Sequence, residues 1–291
     1  MVFFAAPRGD CGSKQGCDGA RAKITSVDNR TVRLAKRLLP KKGRDRSGLY
    51  LLEGPKLLSE ALACDAEIPF AFFCEETPGG VSRHEAPARL AERACDAGAD
   101  VFWATERVFR CMADTETPQG VLAAVKRPVC DAAGFFSRPG AGVLVLDRVQ
   151  DPRNVGSLIR TADAAGFGVM AIAGTGDPYA PRAVRAAAGA LFRTPVLFVR
   201  DADAAVVLLT AAGKRVAVAD ARGGTSCYAS DLARDVALVI GNEGGGPSRA
   251  FTAAASLVVR VPMPGGAESL NAAAAAAVLL FESVRQRAAA K

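Results

Sequence analysis

Hydrophobic residues recur along this chain in two patterned regions, separated by a stretch rich in Gly and Pro. In the C-terminal region, short apolar runs such as VLVLD and VALVIG alternate with segments of helical periodicity. The runs lie at 143–147, 168–173, 195–199, 215–219, 236–240 and 257–261. Near-continuous apolar strands of this kind are typical of a parallel sheet covered on both faces, and ligands bind beyond the carboxyl ends of such strands. We therefore predict a mostly parallel α/β fold for this region, with a ligand site at that edge.

The N-terminal region shows a similar alternation over about 100 residues, which is typical of a compact α/β unit. Strands are predicted at 49–53, 68–74, 101–103 and 121–125, and helices at 55–63, 84–97 and 105–112. An additional helix is predicted from Val27 to Leu39, with Arg33, Lys36 and Arg37 outside its apolar face.

Loss of these patterns marks the domain boundaries. Residues 1–24 are rich in Gly, Cys and charge without any period, which is typical of a disordered extension. Residues 128–142 contain the Pro and Gly of a linker. The chain is thus predicted to form an N-terminal α/β domain over 25–127 and a C-terminal α/β domain over 143–291, and its length of 291 residues suits two domains.

Positive charge is concentrated near the N-terminus. Residues 1–56 carry 13 Lys and Arg against 5 Asp and Glu, whereas the net charge of the whole chain is +7. A basic stretch ahead of a nearly neutral body indicates contact with nucleic-acid phosphates, although a solubilising tail without a partner would look the same. The candidate residues for this nucleic-acid contact are Arg33, Lys36, Arg37, Lys41, Lys42, Arg44 and Arg46.

Several classes of protein are disfavoured by composition. The eight cysteines include no CxxC pair, which argues against a zinc site and against a disulfide framework. No apolar run approaches the roughly 20 residues needed to span a bilayer, and the N-terminus lacks the pattern of a secretory signal. We expect a cytoplasmic protein that binds neither a membrane nor a metal.

Three segments of the C-terminal region carry candidate chemistry. In LDRVQDPRNVGSLIRTADAAGFG, 146–168, a strand runs through a polar turn into a helix. Asn154 is a candidate cap of that helix, and Arg160 follows about a turn and a half later. Capping alone and a surface ion pair are the structural alternatives for these two residues. If neither applies, the segment places an amide and a cation near the strand's carboxyl end.

The second segment, LVIGNEGGGPSR at 238–249, is a buried strand that ends in a glycine-rich turn. Glycines allow a ligand to approach the backbone closely. The turn does not match GxGxxG after a first strand or GxxxxGK[ST], so dinucleotide and triphosphate binding are poorly supported. Glu243 would repel a triphosphate but would attract a cationic sulfonium.

The third segment, VPMPGGAESLNAAAAAAVLLFESVRQR at 261–287, is a strand, a Pro and Gly turn and a long helix. Ser269 is the candidate helix cap, and Asn271 is expected in the first turn, where its amide can reach the site. The alanine run from Ala272 to Ala277 favours helix formation and close packing against another helix.

Together, DPRNVGSLIRTADAAGFG, GNEGGGPS and PMPGGAESLNAAAAAA resemble the three ordered motifs of the SpoU (TrmH) family of SPOUT methyltransferases. RLLPKKGRDRSGLYLLEGPKLLSEAL and TETPQGVLAAV are similar to the family's substrate-binding domain, which is like ribosomal protein L30e. The resemblance extends from about residue 25 to 287. One departure is the alanine run after SLN, where the family often has bulkier residues.

This resemblance implies a deep trefoil knot in the C-terminal domain, a homodimer formed through that domain, and S-adenosylmethionine as methyl donor. By position, Gly241, Val261 and Leu270 would contact the donor, with Ala219, Asn242 and Met263 beside them. The implied catalytic and substrate-holding residues are Asn154, Arg160, Glu243, Ser269 and Asn271.

The implied reaction is methyl transfer to a ribose 2'-hydroxyl in RNA, which requires that the hydroxyl proton be removed or polarised. The single histidine, His84, is predicted on a helix of the N-terminal domain, away from the motifs. Arg160 is proposed as the base in the family. A guanidinium normally stays protonated, so a phosphate clamp that orients the hydroxyl is the more economical role.

We expect ribosomal RNA of the 23S type as substrate because of the L30e-like domain, with transfer RNA as the alternative. A noncatalytic RNA-binding protein would explain the basic N-terminus but not the three motifs. A nucleotide-dependent oxidoreductase is disfavoured because the glycine turn follows a late strand.

Overall fold

A computed structural model describes residues 23–75, 87–137 and 142–290 of the chain. Two sheets organise it: a five-stranded sheet built from residues 23–126 and a seven-stranded sheet built from residues 143–260. His84 and residues 1–22 of the predicted extension lie outside the described residues. Lys23 and Ile24 also belong to the predicted extension, but they form the first strand.

The N-terminal sheet has the order β1-β4-β3-β5-β2, in which β5 is antiparallel to β2 and β3. Its strands are β1 (Lys23–Ile24), β2 (Leu49–Glu53), β3 (Phe70–Cys74), β4 (Asp100–Ala104) and β5 (Val121–Lys126). Its helices are α1 (Arg30–Leu38), α2 (Lys41–Ser47), α3 (Pro55–Ala63), α4 (Pro87–Asp96) and α5 (Glu106–Arg110). The predicted strands and helices at 49–126 are all present, within a few residues of the expected bounds.

Helix α1 forms because Asn29 caps it and because its apolar residues share one face. The Asn29 side chain accepts a hydrogen bond from the Thr31 amide at 2.8 Å. Val32, Ala35 and Leu38 are fully buried against the sheet, whereas Lys36 and Arg37 are exposed in the last turn. Helix α2 was not predicted, because KKGRDRS has no hydrophobic period.

The C-terminal sheet has the order β10-β12-β9-β11-β6-β7-β8, and every pairing in it is parallel. Its strands are β6 (Val143–Leu146), β7 (Gly168–Ile172), β8 (Val196–Val199), β9 (Arg215–Ala219), β10 (Thr225–Ser226), β11 (Val236–Ile240) and β12 (Leu257–Arg260). Its helices are α6 (Ala132–Phe136), α7 (Pro152–Ala165), α8 (Pro181–Ala187), α9 (Ala202–Ala211), α10 (Arg249–Ala254) and α11 (Ala272–Ala289). The predicted parallel α/β fold is confirmed, and its six predicted strands are present; β10 is an addition.

Two predicted helix caps are wrong. Helix α7 is capped by Asp151, which accepts from the Arg153 amide at 2.9 Å, so Asn154 lies inside the first turn with its side chain free for other contacts. Helix α11 is capped by Asn271, whose Oδ1 accepts from the Ala273 amide at 2.9 Å, and Ser269 lies two residues before the cap. Pro152 at the first position explains the earlier start of α7.

The two sheets pack against each other through α8 and β2. Tyr50 on β2 and Tyr179, just before α8, are buried with ring centroids 4.9 Å apart. The segment that we predicted as a linker contains α6, whose Phe135 is buried against Val143 and the seven-stranded sheet. Within the described part of the chain, no helix is long and apolar enough to cross a membrane.

Candidate functional site

A cavity of about 1030 Å³ opens at the carboxyl ends of β9, β11 and β12. This is the edge at which we predicted a ligand site. The residues lining it include nine of the predicted site residues: Ala219, Gly241, Asn242, Glu243, Val261, Met263, Ser269, Leu270 and Asn271. The second and third sequence segments therefore line one cavity, although the 11 residues 250–260 separate them in the sequence.

The wall of the cavity after β11 is a tight glycine turn held by its own side chains. Asn242 Oδ1 accepts hydrogen bonds from the amides of Gly244 at 3.0 Å and Gly245 at 2.8 Å. A Cβ atom on Gly241 would lie 2.2 Å from the Pro247 nitrogen, so only glycine fits there. The turn is thus built without room for a side chain at Gly241.

Buried Asp147 connects this turn to the end of β6. Its Oδ2 accepts from the Ser248 amide at 2.5 Å, and its Oδ1 accepts from Arg148 Nε at 3.1 Å. Asn242 Nδ2 also donates to the Arg148 carbonyl oxygen at 3.0 Å. Sequence reasoning missed Asp147 and Arg148, although a charged pair directly after a buried apolar strand was a signal available in LDR.

A network of hydrogen bonds joins the three sequence segments at this edge. Asn154 Nδ2 donates to Glu243 Oε1 at 3.1 Å, and Asn271 Nδ2 donates to Asn154 Oδ1 at 3.0 Å. The amide of Gln150 donates to Glu243 Oε2 at 3.4 Å. Each of the three segments thus contributes one polar side chain to a single hydrogen-bond network. Gln150 is a further member of this network, which the sequence did not indicate.

Glu243 is held in its charged form by these contacts. Partial desolvation acts to raise the pKa of Glu243, but the hydrogen bond from Asn154 and those from backbone amides, including that of Gln150, lower it below its ordinary value. A fixed negative charge therefore lies on the cavity wall at neutral pH.

Arg160 lies elsewhere on α7 and is exposed. It is not among the residues lining the cavity, and neither is Asn154, which reaches the site through its hydrogen bonds. Within the described residues, no hydrogen bond or ion pair occupies the Arg160 guanidinium, so the surface ion pair considered as its alternative role is absent there. Ser269 lines the cavity without a side-chain hydrogen bond to the described residues.

The seven predicted RNA-binding residues divide into two groups. Six are exposed on or beside α1 and α2: Arg33, Lys36, Arg37, Lys41, Lys42 and Arg46. Arg44 is the exception, because its side chain is only 3% exposed and forms an ion pair with Asp177 at 2.7 Å. The prediction of Arg44 as an RNA-binding residue is therefore wrong, because its guanidinium is buried against Asp177.

Metal ligands do not gather in the described part of the chain: no three His, Cys, Asp or Glu side chains lie together there. The expectation that the protein uses no metal stays a prediction.

Comparison with known proteins agrees with the fold. The profile of the SpoU rRNA Methylase family matches residues 141–281, and that of the MRM3-like substrate binding domain matches residues 29–123. The 23S rRNA (guanosine(2553)-2'-O)-methyltransferase RlmP of Bacillus subtilis is 33% identical over 260 residues, which cover 89% of this chain and 98% of RlmP. The 23S rRNA (uridine(2479)-2'-O)-methyltransferase of Streptomyces viridochromogenes is 36% identical over 178 residues, 59% of this chain and 62% of that protein.

Solved structures show the same architecture. The AdoMet-bound rRNA methyltransferase from Sinorhizobium meliloti superimposes with a TM-score of 0.80 at 29% identity, over 92% of this chain and 98% of that one. The SpoU methyltransferase AviRb from Streptomyces viridochromogenes, in complex with AdoMet, superimposes with a TM-score of 0.77 at 27% identity, over 90% of this chain and all (100%) of that one.

The fold and the site define an RNA methyltransferase with a separate substrate-binding domain. More particularly, the chain belongs to the SpoU rRNA methylase family, and the resemblance found in its sequence is confirmed.

Proposed function

We propose that this protein transfers a methyl group from S-adenosylmethionine to a ribose 2'-hydroxyl of 23S-type ribosomal RNA. The observation that carries the proposal is the network of Asn154, Glu243 and Asn271 at the cavity edge, in a chain of this family. The relatives named above as 23S rRNA 2'-O-methyltransferases support the same substrate and the same atom.

The residues of the cavity fit S-adenosylmethionine, which when bound supplies an electrophilic methyl group on a sulfonium. Gly241 leaves the backbone open to a ligand, since the turn has no room for a Cβ at that position. Leu270 is a large hydrophobic side chain that stays 40% exposed at the cavity, and Val261 offers further apolar surface. Glu243 supplies a negative charge suited to a cationic ligand. These residues, with Ala219, Asn242 and Met263, would hold the donor.

Arg160 is assigned the role of an RNA phosphate clamp. Its guanidinium is exposed on α7, the helix that also carries Asn154 into the network. A planar guanidinium can bind a phosphate through two hydrogen bonds and so fix the adjoining ribose. This chain contributes to the transfer in two ways. It orients the hydroxyl, and its neighbouring polar groups polarise the hydroxyl proton.

The test of this role is Arg160→Ala, with Arg153→Ala on the same helix as its control. Arg153 has a side chain that is 74% exposed, and it pairs only loosely with Asp151 at 3.4 Å. We expect Arg160→Ala to lower kcat by about 10²-fold or more while the Kd of S-adenosylmethionine stays within about twofold of wild type. Arg153→Ala should change neither by more than about threefold. Donor affinity that falls as far as turnover in Arg160→Ala would contradict the assignment.

The substrate is tested by tritium transfer from labelled S-adenosylmethionine to purified ribosomal RNA and to transfer RNA, followed by nuclease digestion. Label in a 2'-O-methyl nucleoside of 23S-type RNA is the expected result. Label confined to transfer RNA would mean that the reaction is as proposed but that the substrate is transfer RNA. RNA binding without transfer to any RNA would favour a noncatalytic binding protein.

The trefoil knot, the homodimer and the cytoplasmic location belong to the same proposal. The dimer is supported by α11, on which Phe281 is 49% exposed beside the small-residue run that begins at Ala272. Sedimentation equilibrium on the full chain should give twice the monomer mass of 30.1 kDa. A monomer at micromolar concentration would contradict the dimer.

A further inference from the structure

A buried ion pair connects the two α/β units. Arg44 on α2 is 3% exposed, and Asp177, in the loop between β7 and α8, is 8% exposed. Arg44 Nε and Nη2 both donate to Asp177 Oδ2, at 2.9 Å and 2.7 Å. The pair spans 133 residues of sequence and joins the unit that carries the basic helices to the unit that carries the cavity.

The remaining donors of Arg44 reach the end of α1. Nη1 donates to the carbonyl oxygen of Leu38 at 2.8 Å and also to that of Leu39. These carbonyls close the helix on which Lys36 and Arg37 are exposed. One guanidinium therefore fixes the end of α1, the body of α2 and the loop of the other unit at the same time.

On its other side, the loop that contains Asp177 supports the segment following β6. The amide of Gly176 donates to the Val149 carbonyl oxygen at 2.8 Å, and Thr175 Oγ1 donates to the Leu146 carbonyl oxygen at 2.8 Å. A Cβ on Gly176 would lie 2.6 Å from the Gln150 carbonyl oxygen, so the two backbones are in close contact. The Gln150 amide in turn donates to Glu243. The contacts thus run from Arg44 through Asp177 and its loop to the Glu243 network.

Stability alone is a poor explanation for this pair. Desolvation offsets much of the attraction between two buried charges, and apolar residues of similar size often stabilise such a site as well or better. The same interface already contains the rings of Tyr50 and Tyr179, which are in contact at an interplanar angle of 46°. A planar guanidinium that makes several hydrogen bonds also fixes the orientation of the groups that it joins.

We propose that Arg44 and Asp177 are positioning residues for methyl transfer: their ion pair holds the basic helices α1 and α2 in register with the segment 146–150 that supports Glu243. The inference rests on the proposed function, since it assumes that RNA bound on those helices must present its ribose at the cavity. Neither residue touches the reacting atoms.

The decisive comparison is between the single variant Arg44→Met and the double variant Arg44→Met with Asp177→Leu. The single variant leaves the buried Asp177 carboxylate without its cation, with the Tyr179 amide at 2.9 Å as a remaining donor, and should unfold at a lower temperature than wild type. The double variant removes both charges and should recover most of the lost Tm. Arg110→Met is the matched control, because Arg110 is exposed and, among the described residues, pairs only with Glu106 on its own helix.

For both variants we expect kcat/KM on 23S-type RNA to fall by about 10- to 100-fold, with the Kd of S-adenosylmethionine unchanged. Hydrogen exchange should also become faster at the amides of residues 146–150 in the double variant, and this readout does not depend on activity. Recovery of Tm without recovery of kcat/KM supports positioning, because a merely stabilising pair would recover both.

A double variant with wild-type Tm and wild-type kcat/KM overturns the inference. If the double variant does not fold, Arg44→Lys is measured in the same way. A lysine keeps the buried charge but cannot donate hydrogen bonds to Asp177 and to both carbonyl oxygens. Wild-type kcat/KM in Arg44→Lys would therefore also overturn the inference. Failure of the proposed function is a separate result, seen as no transfer by the wild type, and it overturns both.

Discussion

At the scale of single residues, Glu243 determines the character of the site. It is the acceptor for a side-chain amide from α7 and for a backbone amide from the turn before α7. These bonds lower its pKa, and they orient Asn154 so that the Asn154 carbonyl oxygen faces Asn271. The charge and the geometry of the network therefore depend on one carboxylate.

Glu243→Gln tests this dependence through pH. Because the pKa of Glu243 is lower in the folded than in the unfolded chain, its contribution to stability is present above the ordinary glutamate pKa and is lost as pH falls through the lowered value. The difference in unfolding free energy between wild type and Glu243→Gln should therefore be larger at about pH 7 than at about pH 3. Urea denaturation at both pH values measures it, and a difference that does not change with pH would contradict the assignment.

At the scale of residues, the sequence predicted which residue types form the site but not which hydrogen-bond partners they have. Asn154, Glu243 and Asn271 are assigned to one site because their motifs resemble those of a family, and the structure places Asn154 within hydrogen-bond distance of both Glu243 and Asn271. The cap assignments failed at Asn154 and Ser269 because Asp151 and Asn271 are equally good capping types nearby. Local preference cannot choose between neighbouring candidates when tertiary contacts decide where the helix begins.

At the scale of elements, the turn after β11 is the most constrained segment of the site. Gly241→Ala would place its Cβ 2.2 Å from the Pro247 nitrogen, which is backbone and has little freedom to move. We expect the turn to shift, the affinity for S-adenosylmethionine to fall about tenfold or more, and the unfolding free energy to fall by roughly 1–3 kcal/mol. Isothermal titration calorimetry and urea denaturation measure the two effects.

Gly244→Ala is the control for stability within the same turn. Its Cβ would meet only Asn242 Oδ1, at an ordinary 3.7 Å. The unfolding free energy of this variant should match wild type within about 0.5 kcal/mol. Equal losses in the two variants would mean that the close approach at Gly241 is not the constraint.

The contact between β2 and the segment before α8 also acts at the scale of elements, because it joins the two units. The Tyr50 hydroxyl is buried and has no hydrogen-bond partner among the described residues. Tyr50→Phe should therefore raise the unfolding free energy by about 1 kcal/mol, because it removes an unsatisfied polar group and keeps the ring against Tyr179. Tyr50→Leu loses the ring contact and should destabilise. A Phe variant less stable than wild type would show that the hydroxyl has a partner.

At the scale of the whole molecule, the candidate RNA-binding residues and the cavity lie on different units. The N-terminal unit carries the exposed basic helices, and the C-terminal unit carries the cavity. Replacement of Lys36, Arg37 and Lys41 by Ala should weaken RNA binding and should reduce the slope of log affinity against log salt by about one per side chain. Fluorescence anisotropy at several salt concentrations measures the slope. Lys126→Ala is the control, since Lys126 is paired with Glu67 at 2.7 Å; an equal loss in that variant would mean that the charge acts nonspecifically.

The sequence by itself determined the order of the strands along the chain, the parallel α/β class and the residue types of the site, because alternating apolar runs and glycine turns are local signals. Only the tertiary structure decided which of those residues meet. It placed the three segments at one sheet edge, since parallel pairing of β6, β9, β11 and β12 brings their carboxyl ends together. It also turned Arg44 from a candidate RNA contact into a buried link to Asp177. A partner 133 residues away leaves no trace in the local sequence, because burial of a charge depends on what folds over it.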